Sequence, residues 1–162
     1  MKQLNYRLAL SLAVLLVSCA SSLPSADSMP PAMLAAHNFY RRQVGTPPLV
    51  WSIRLAILAQ DWANYLIRTG GYKHRPDGQY GENLFEVVGP PADERQVVNA
   101  WAAEQAGYDH RRNSCSGRCG HYTQIIWRDT RRVGCGVAQK NRREIWVCNY
   151  DPPGNIIGER PY

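Results

Sequence analysis

Two histidines and two glutamates are the side chains of this 162-residue chain that are best suited to chemistry. His74 and Glu82 lie in the segment HRPDGQYGENL, Glu104 lies in a predicted helix, and His121 begins a predicted strand. Imidazole and carboxylate groups bind zinc or transfer protons. Spacing alone does not bring the four together, because no local zinc motif such as HExxH contains them. His121 is therefore open to three interpretations: a metal ligand, a catalyst, or a polar residue at the end of a strand.

Other common catalytic signatures are absent from the sequence. The chain has neither a GxSxG nucleophile elbow nor a glycine-rich phosphate loop. When Cys19 is set aside, the remaining cysteines are an even set, as expected for two disulfide bonds in an exported protein. With all of them in disulfides, no thiol is left for a cysteine nucleophile or a thiolate metal site.

The pairing of these cysteines follows from a predicted hairpin. If VGCGVAQ and EIWVCNY are strands joined by a turn centred between residues 141 and 142, Cys135 and Cys148 lie directly opposite each other. Directly opposed residues have a Cα spacing that is compatible with a disulfide. We therefore pair Cys135 with Cys148, which leaves Cys115 and Cys119 to close the small loop CSGRC.

The first 18 residues have the charge order of an export signal. Lys2 and Arg7 precede an apolar run over residues 8–17 that is too short to span a bilayer. The letters LVSC at residues 16–19 resemble the lipobox of bacterial lipoproteins, and acyl chains on Cys19 would anchor the protein to a membrane. The alternative is simple secretion after ordinary cleavage behind Ala20. Residues 19–30 are small, polar and proline-containing, which is typical of a tether.

The mature chain keeps a modest positive charge. Removing Lys2 and Arg7 from 19 basic residues, against 13 acidic ones, leaves a net charge of +4. Arginines occur in adjacent pairs at 41–42, 111–112, 131–132 and 142–143. These pairs either face anionic envelope polymers or lipid headgroups, or are ordinary solvated surface charge. No nucleic-acid motif accompanies them, so we expect no nucleic-acid partner.

The periodicity of the remaining residues predicts helices first and strands afterwards. Helices are expected over residues 31–44, after Ser52 up to Gly70, and after Pro90-Pro91. His37 falls on the buried face of the first helix, where a satisfied core residue is expected. Strands are expected in HYTQIIWR, VGCGVAQ and EIWVCNY. This order indicates one α+β domain over residues 31–162.

Several long motifs resemble the CAP superfamily of cysteine-rich secretory proteins, antigen 5 and pathogenesis-related 1 proteins. CGHYTQIIWRDTRRVGCG and WVCNYDPPGNIIGERPY resemble its two signatures, and AHNFYRRQVGTPPLVW, YGENL and WAAEQAGYD resemble the segments before them. The likeness is strongest to the plant-type pathogenesis-related 1 proteins, down to the final ERPY. The resemblance implies a three-layer α-β-α sandwich with a central antiparallel sheet.

The resemblance also implies a site. Family members carry two histidines and two glutamates in a central cleft, which match His74, Glu82, Glu104 and His121. The two histidines are expected to hold zinc or another divalent cation, with the glutamates nearby to orient the rings or hold water. The alternative is a polar network that stabilises the cleft without a metal.

Three departures from the family pattern affect this expectation. Many members have a serine directly after the first cleft histidine, where this chain has Arg75, so a serine nucleophile is missing. A further disulfide of the plant-type members is missing, with Lys140 in place of one of its cysteines. The loop from His74 to Glu82 is longer than in the plant proteins, which makes His74 the least secure member of the set.

The sequence therefore supports three functions. The first is a non-catalytic, lipid-anchored protein of the cell envelope that binds a sterol, another lipid or an envelope ligand in or near the cleft. The second is a metal-dependent hydrolase, an esterase or peptidase, assisted by Glu82 or Glu104. The third is a secreted effector or antimicrobial protein. The tail PPGNIIGERPY fits the pattern of a released signalling peptide, but Gly154 and the pair Ile156-Ile157 favour a tail that packs on the domain.

Overall fold

The computed structural model describes residues 30–76 and 78–162. The predicted signal peptide, the lipidation site Cys19 and the tether up to residue 29 lie outside these residues. Among the helices in the described ranges, none combines the length and the apolar character that crossing a membrane requires.

A sheet of four strands forms the middle layer. The strands of this sheet are β1 (Val50–Trp51), β2 (Gly81–Val88), β5 (Arg132–Lys140) and β6 (Arg143–Asp151). Their order across the sheet is β1-β5-β6-β2. The three long strands are antiparallel neighbours, and β1 adds a short parallel pair at the edge. A second, two-stranded sheet pairs β3 (Tyr108–Asp109) with β4 (Ser114–Cys115).

Helices cover both faces of the central sheet. They are α1 (Pro30–Gln43), α2 (Ile53–Thr69), α3 (Glu94–Ala102) and α4 (Gly120–Ile125), and α3 continues into a 3-10 turn over Ala103–Gly107. Side chains of β6 alternate between the faces: Ile145 and Val147 pack with α2, whereas Trp146 and Tyr150 pack with the other three helices. This arrangement confirms the three-layer sandwich.

The helix α2 lies directly on strand β5. It has the predicted boundaries, because the Ser52 side chain accepts a hydrogen bond from the Leu55 amide and Gly70 ends it with a positive φ. Two glycines of β5 allow the close contact: a Cβ on Gly136 would lie 2.4 Å from the Cα of Gln60. The Gln60 side chain in turn bonds the backbone of Val137. No larger residue than glycine fits at Gly136 without moving the helix.

The predicted hairpin and both disulfides are confirmed. Lys140 pairs with Arg143 across the turn, so Cys135 and Cys148 are direct partners with a Cα–Cα distance of 4.1 Å. Cys115 and Cys119 are joined at a Cα–Cα distance of 6.0 Å.

The segment HYTQIIWR is not a strand, contrary to the prediction. Six residues, Gly120–Ile125, form α4. A helix this short is unstable alone, so contacts at both ends decide its conformation. Glu104 accepts the amide of His121 at the beginning, and Arg41 donates to the carbonyl of Ile125 at the end. The β-branched isoleucines that suggested a strand are simply buried.

The long strand β2 was not predicted from the sequence, nor were the two-residue strands β1, β3 and β4. Gly81–Val88 pairs with β6 along its whole length, from Gly81 opposite Tyr150 to Val88 opposite Arg143. At the beginning of β6, the Nη2 of Arg143 donates to the carbonyl of Gly71 at 2.8 Å and its Nε pairs with Glu86. The segment after α2 is thus attached to β6 by an arginine.

Arg41 is fully buried, which contradicts its interpretation as surface charge. Its guanidinium donates to four carbonyls, those of Pro47 (2.6 Å), Ile125 (2.9 Å), Trp127 (2.8 Å) and Thr130 (3.1 Å). Burial, with the charge of Arg131, lowers its pKa to about 10, so it remains charged at neutral pH. A buried charge is tolerated when it is fully hydrogen-bonded, and here that bonding joins α1 to the segment after α4.

His37 is the satisfied core residue that the sequence predicts. Its Nδ1–H donates to the carbonyl of Met33 at 2.8 Å, so its Nε2 accepts from the hydroxyl of Tyr150 at 2.8 Å. Burial, with the nearby charge of Arg41, lowers its pKa to about 4. Burial also raises the pKa of Tyr150 well above its ordinary value. Near neutral pH both groups are therefore uncharged.

Acid is expected to destabilise the fold through His37. Its folded pKa of about 4 lies below the unfolded value of 6.5, so only the unfolded chain gains a proton as the pH falls between them. The stabilising contribution is complete above pH 6.5 and is lost as the pH falls through 4, by about 3 kcal/mol at most. Urea unfolding at pH 7, 5.5 and 4 measures the free energy of unfolding, which should depend less on pH in His37→Gln than in wild type. His110→Gln is the control and should behave as wild type does. The same pH dependence in all three proteins would contradict this account.

Candidate functional site

A cleft of about 470 Å³ opens between β2, α4 and the loops that flank them. His74, Glu82, Arg118, His121 and Asn155 contribute to its walls. Glu104 does not line the cleft but lies behind His121, in the turn that extends α3. The structure therefore brings the predicted residues to one place.

His74 and Glu82 form the first pair of the cleft. The Nδ1–H of His74 donates to Oε1 of Glu82 at 2.7 Å, and the backbone amide of Arg75 donates to the same oxygen at 3.1 Å. The glutamate side chain is only 8% exposed, whereas the histidine side chain is 63% exposed. The hydrogen bond to Glu82 raises the pKa of His74, against the opposing effect of burial. The carboxylate thus fixes an imidazole that is open to solvent.

His121 and Glu104 form the second pair. The Nδ1–H of His121 donates to Oε1 of Glu104 at 2.8 Å, and the backbone amide of His121 donates to Oε2 at 2.9 Å. One carboxylate therefore orients the ring and also binds the first turn of α4. The indole of Trp101 lies near the imidazole, with ring centroids 6.1 Å apart.

These two pairs have the donor chemistry of a cation site. In both histidines Nδ1 is held by a carboxylate, and among residues 30–76 and 78–162 no hydrogen bond reaches either Nε2. The second oxygen of Glu82 is buried, and no described residue offers it a hydrogen bond. Carboxylate-oriented imidazoles are the usual form of histidine ligands. Within the same ranges no three His, Cys, Asp or Glu side chains already converge on one point, so the site consists of two separate pairs.

Asn83 connects this cleft to the core. Its Nδ2 donates to the carbonyl of His121 and to the hydroxyl of Tyr150, each at 3.1 Å. Tyr150 donates in turn to His37. The position of His121 is thus coupled to the packing of α1. The YGENL motif, which contains Asn83, does not reveal this coupling.

A second cavity, of about 370 Å³, lies on the other side of His74 and Glu82. Its wall includes Arg75, whose guanidinium pairs with Asp61 at 2.6 Å and lies 5.4 Å from the ring centroid of Trp62. Arg75, which follows His74 directly, is therefore fixed against α2. It offers no nucleophile.

The C-terminal tail forms part of both cavities. Asn155 lines them both, accepts a hydrogen bond from Thr123 at 2.6 Å and donates to the carbonyl of Gly120 at 2.9 Å. Tyr162 stacks on His110 with ring centroids 4.2 Å apart. The tail is packed, as expected, but not through its isoleucines, because Ile157 is 100% exposed. Asn155 was missed, since the sequence signals only a turn there.

A groove of about 550 Å³ runs between α1 and α3 and was also missed. Its wall is formed by small and aromatic side chains of α1, with basic side chains at the edge; these are Ala32, Ala35, Ala36, Phe39, Tyr40, Arg42 and Arg95, with Asn99. Phe39 is half exposed. The helical periodicity of α1 explains its buried face only, and the groove depends on how α3 packs beside it.

The fold and the paired residues agree with one family. The model of the cysteine-rich secretory protein family, CAP, matches residues 34–150. This chain therefore belongs to the CAP family.

Its similar relatives include plant pathogenesis-related proteins. The basic form of pathogenesis-related protein 1 from Nicotiana tabacum is 45% identical over 139 residues, which cover 85% of this chain and 77% of the relative. Pathogenesis-related protein 1 from Arabidopsis thaliana is 40% identical over 164 residues and covers 100% of both chains.

Solved structures show the same fold. Venom allergen-like protein 4 from Schistosoma mansoni has a TM-score of 0.68 at 26% identity, covering 86% of this chain and 95% of its own. NaASP2, whose crystal structure was solved with Zn²⁺, has a TM-score of 0.66 at 22% identity, covering 83% of this chain and 84% of its own.

Asn155 is expected to stabilise the turn of α4 that carries His121. Asn155→Ala removes both side-chain hydrogen bonds and places alanine at a φ of 59°, so the free energy of unfolding should fall by about 2–3 kcal/mol. Asn155→Gly loses the same bonds without the backbone strain, so its loss should be smaller by about 1 kcal/mol. Urea unfolding measures both. Wild-type stability in the two variants would show that the tail does not support α4.

Proposed function

We propose that this protein is an exported CAP-domain binding protein whose cleft holds a divalent cation, zinc being the best match. The observation that carries the proposal is the pairing of each cleft histidine with its own carboxylate. Held at Nδ1, His74 and His121 would both offer Nε2 to the cation, and neutral imidazole suits zinc. Glu82 and Glu104 would orient the rings, and the buried oxygen of Glu82 would gain a partner. The Zn²⁺ in the crystal structure of NaASP2 is consistent with such a role.

The cleft favours binding over catalysis. Arg75 stands where a serine nucleophile would be needed, and its contacts with Asp61 and Trp62 hold it against α2. A cation between two fixed imidazoles would join the loop after α2 to α4, because His74 lies on the first and His121 on the second. We infer that the cation sets the shape of the cleft.

The groove between α1 and α3 is our candidate site for a hydrophobic ligand. Its apolar lining with Phe39 fits an acyl chain, and Arg42 and Arg95 complement an anionic head. This site shares no lining residue with the cleft, whereas the sequence predicted a ligand in or near the cleft. The two sites are connected along the chain, because α3 continues directly into the turn that carries Glu104.

We propose the cell envelope as the location, with Cys19 acylated. This rests on the LVSC sequence at residues 16–19, and plain secretion is the alternative. Mass spectrometry of the protein extracted from membranes is the test. Acyl chains on Cys19 support the anchor, and an unmodified chain that begins after Ala20 refutes it.

A metal-dependent hydrolase is the second candidate, favoured by an oxygen of Glu82 that is buried beside the cleft and receives no hydrogen bond from a described residue. A bound cation would act as a Lewis acid toward an ester or amide carbonyl. Glu82 would accept a proton from the attacking water, whereas Glu104, which lies behind His121, would orient the imidazole. A secreted effector is the third candidate, supported by the likeness to the plant pathogenesis-related proteins.

Cation binding is tested by titrating the metal-free protein with zinc in a calorimeter. His74→Ala and His121→Ala should each weaken binding at least tenfold, and Glu104→Gln should weaken it about 10- to 100-fold. His110→Gln is the matched control, since His110 lies outside the cleft, and should bind as wild type does. Equal affinity in all variants would refute a cation site in the cleft.

The same proteins separate binding from catalysis in an esterase and peptidase screen. The proposal expects no turnover by the wild type with or without zinc. Zinc-dependent turnover by the wild type that is lost in His121→Ala would refute the binding proposal and support the hydrolase.

Ligand binding in the groove is tested with a fluorescent fatty acid. Ala35→Trp fills the groove and should abolish binding, whereas Ile57→Trp, on the exposed face of α2, should leave it unchanged. Equal binding by both variants would exclude the groove as the ligand site.

A further inference from the structure

Four basic side chains lie around the turn between β5 and β6, one from the end of α2 and three from the hairpin itself. Arg68 comes from the last turn of α2, Lys140 ends β5, and Arg142 and Arg143 follow across the hairpin turn. They line an open concavity of about 670 Å³ together with Val88. We call Arg68, Val88, Lys140, Arg142 and Arg143 the hairpin patch.

Most of the positive charge in the hairpin patch is not neutralised. Arg143 pairs with Glu86, but Arg68, Lys140 and Arg142 form no ion pair within the described ranges. Among those residues no acidic side chain lines the concavity. Three uncompensated cations on one small surface repel one another, and an anionic partner would relieve this repulsion.

An apolar side chain lies within this ring of charge. Val88 ends β2 directly opposite Arg143 and is 72% exposed. Long basic side chains can lie along an apolar surface while their charged ends point outward. A valine surrounded by such side chains matches the boundary between headgroups and acyl chains in a bilayer, whereas a soluble polyanion would make no use of it.

We propose that the hairpin patch is a docking surface for anionic phospholipid headgroups. It differs from the cleft and the groove and requires neither a cation nor the lipid on Cys19. In an acylated protein it would orient the domain on the membrane. In a secreted protein it would provide a weak, salt-sensitive attraction to anionic bilayers.

The test uses the exported chain with Cys19→Ser, which cannot be acylated. Its binding is measured to vesicles of phosphatidylcholine alone and to vesicles that also contain about 30% phosphatidylglycerol, which gives them a negative surface. Binding is expected only with the anionic vesicles and should weaken as salt is raised. Each removed cation should cost about 5-fold in partitioning, so Arg68→Gln/Lys140→Gln/Arg142→Gln should lose about 100-fold. Val88→Ser should also weaken binding, by about tenfold, which is the scale of one buried valine side chain.

A charge-matched control separates the patch from net charge. Arg54→Gln/Arg111→Gln/Arg128→Gln removes three exposed arginines elsewhere and should keep most of the binding. Equal losses in the two triple variants would overturn the proposal. So would binding to heparin that is lost in the patch variant while vesicle binding persists, since it would identify a soluble polyanion as the partner. Circular dichroism and unchanged thermal midpoints confirm that the variants are folded.

Discussion

The hydroxyl of Tyr150 is the point at which the layers of this molecule are joined. It accepts a hydrogen bond from Asn83 on β2 and donates one to His37 on α1, and the tyrosine itself belongs to β6. All three side chains are fully or almost fully buried. If one of these hydrogen bonds is lost, water cannot reach the polar group that is left without a partner. Because the amide of Asn83 also holds the carbonyl of His121, the same network fixes the floor of the cleft. The candidate site is therefore an extension of the polar core.

Sequence patterns could predict the parts of this fold that depend on local chemistry. The apolar stripe and the caps of α2 and the register of the β5–β6 hairpin are encoded in neighbouring residues, and both agree with the structure. The helix α4 could not be predicted, because its conformation depends on Glu104 and Arg41, which come from distant segments. For the same reason the pair Arg41-Arg42 looks uniform in the sequence although only Arg42 reaches solvent. Tertiary contacts decide these cases against local propensity.

The candidate site shows the same division. Family motifs identify His74, Glu82, Glu104 and His121, but not that each histidine is paired with one particular glutamate. That pairing depends on the continuation of α3 into a tight turn, which brings Glu104 to the first turn of α4. The roles of Asn83 and Arg75 likewise depend on partners far away in the chain. Residue identity gives the chemistry of the cleft, and only packing gives its geometry.

The position of the tail has a consequence for local opening of the molecule. Asn155 contributes to the walls of both cavities, and farther along the amide of Arg128 donates to the carbonyl of Pro161 at 2.7 Å. Residues 152–162 belong to no helix or strand, so they can detach at a lower free-energy cost than the sheet. Detachment of the tail would remove one wall of the cleft while the three layers stay folded.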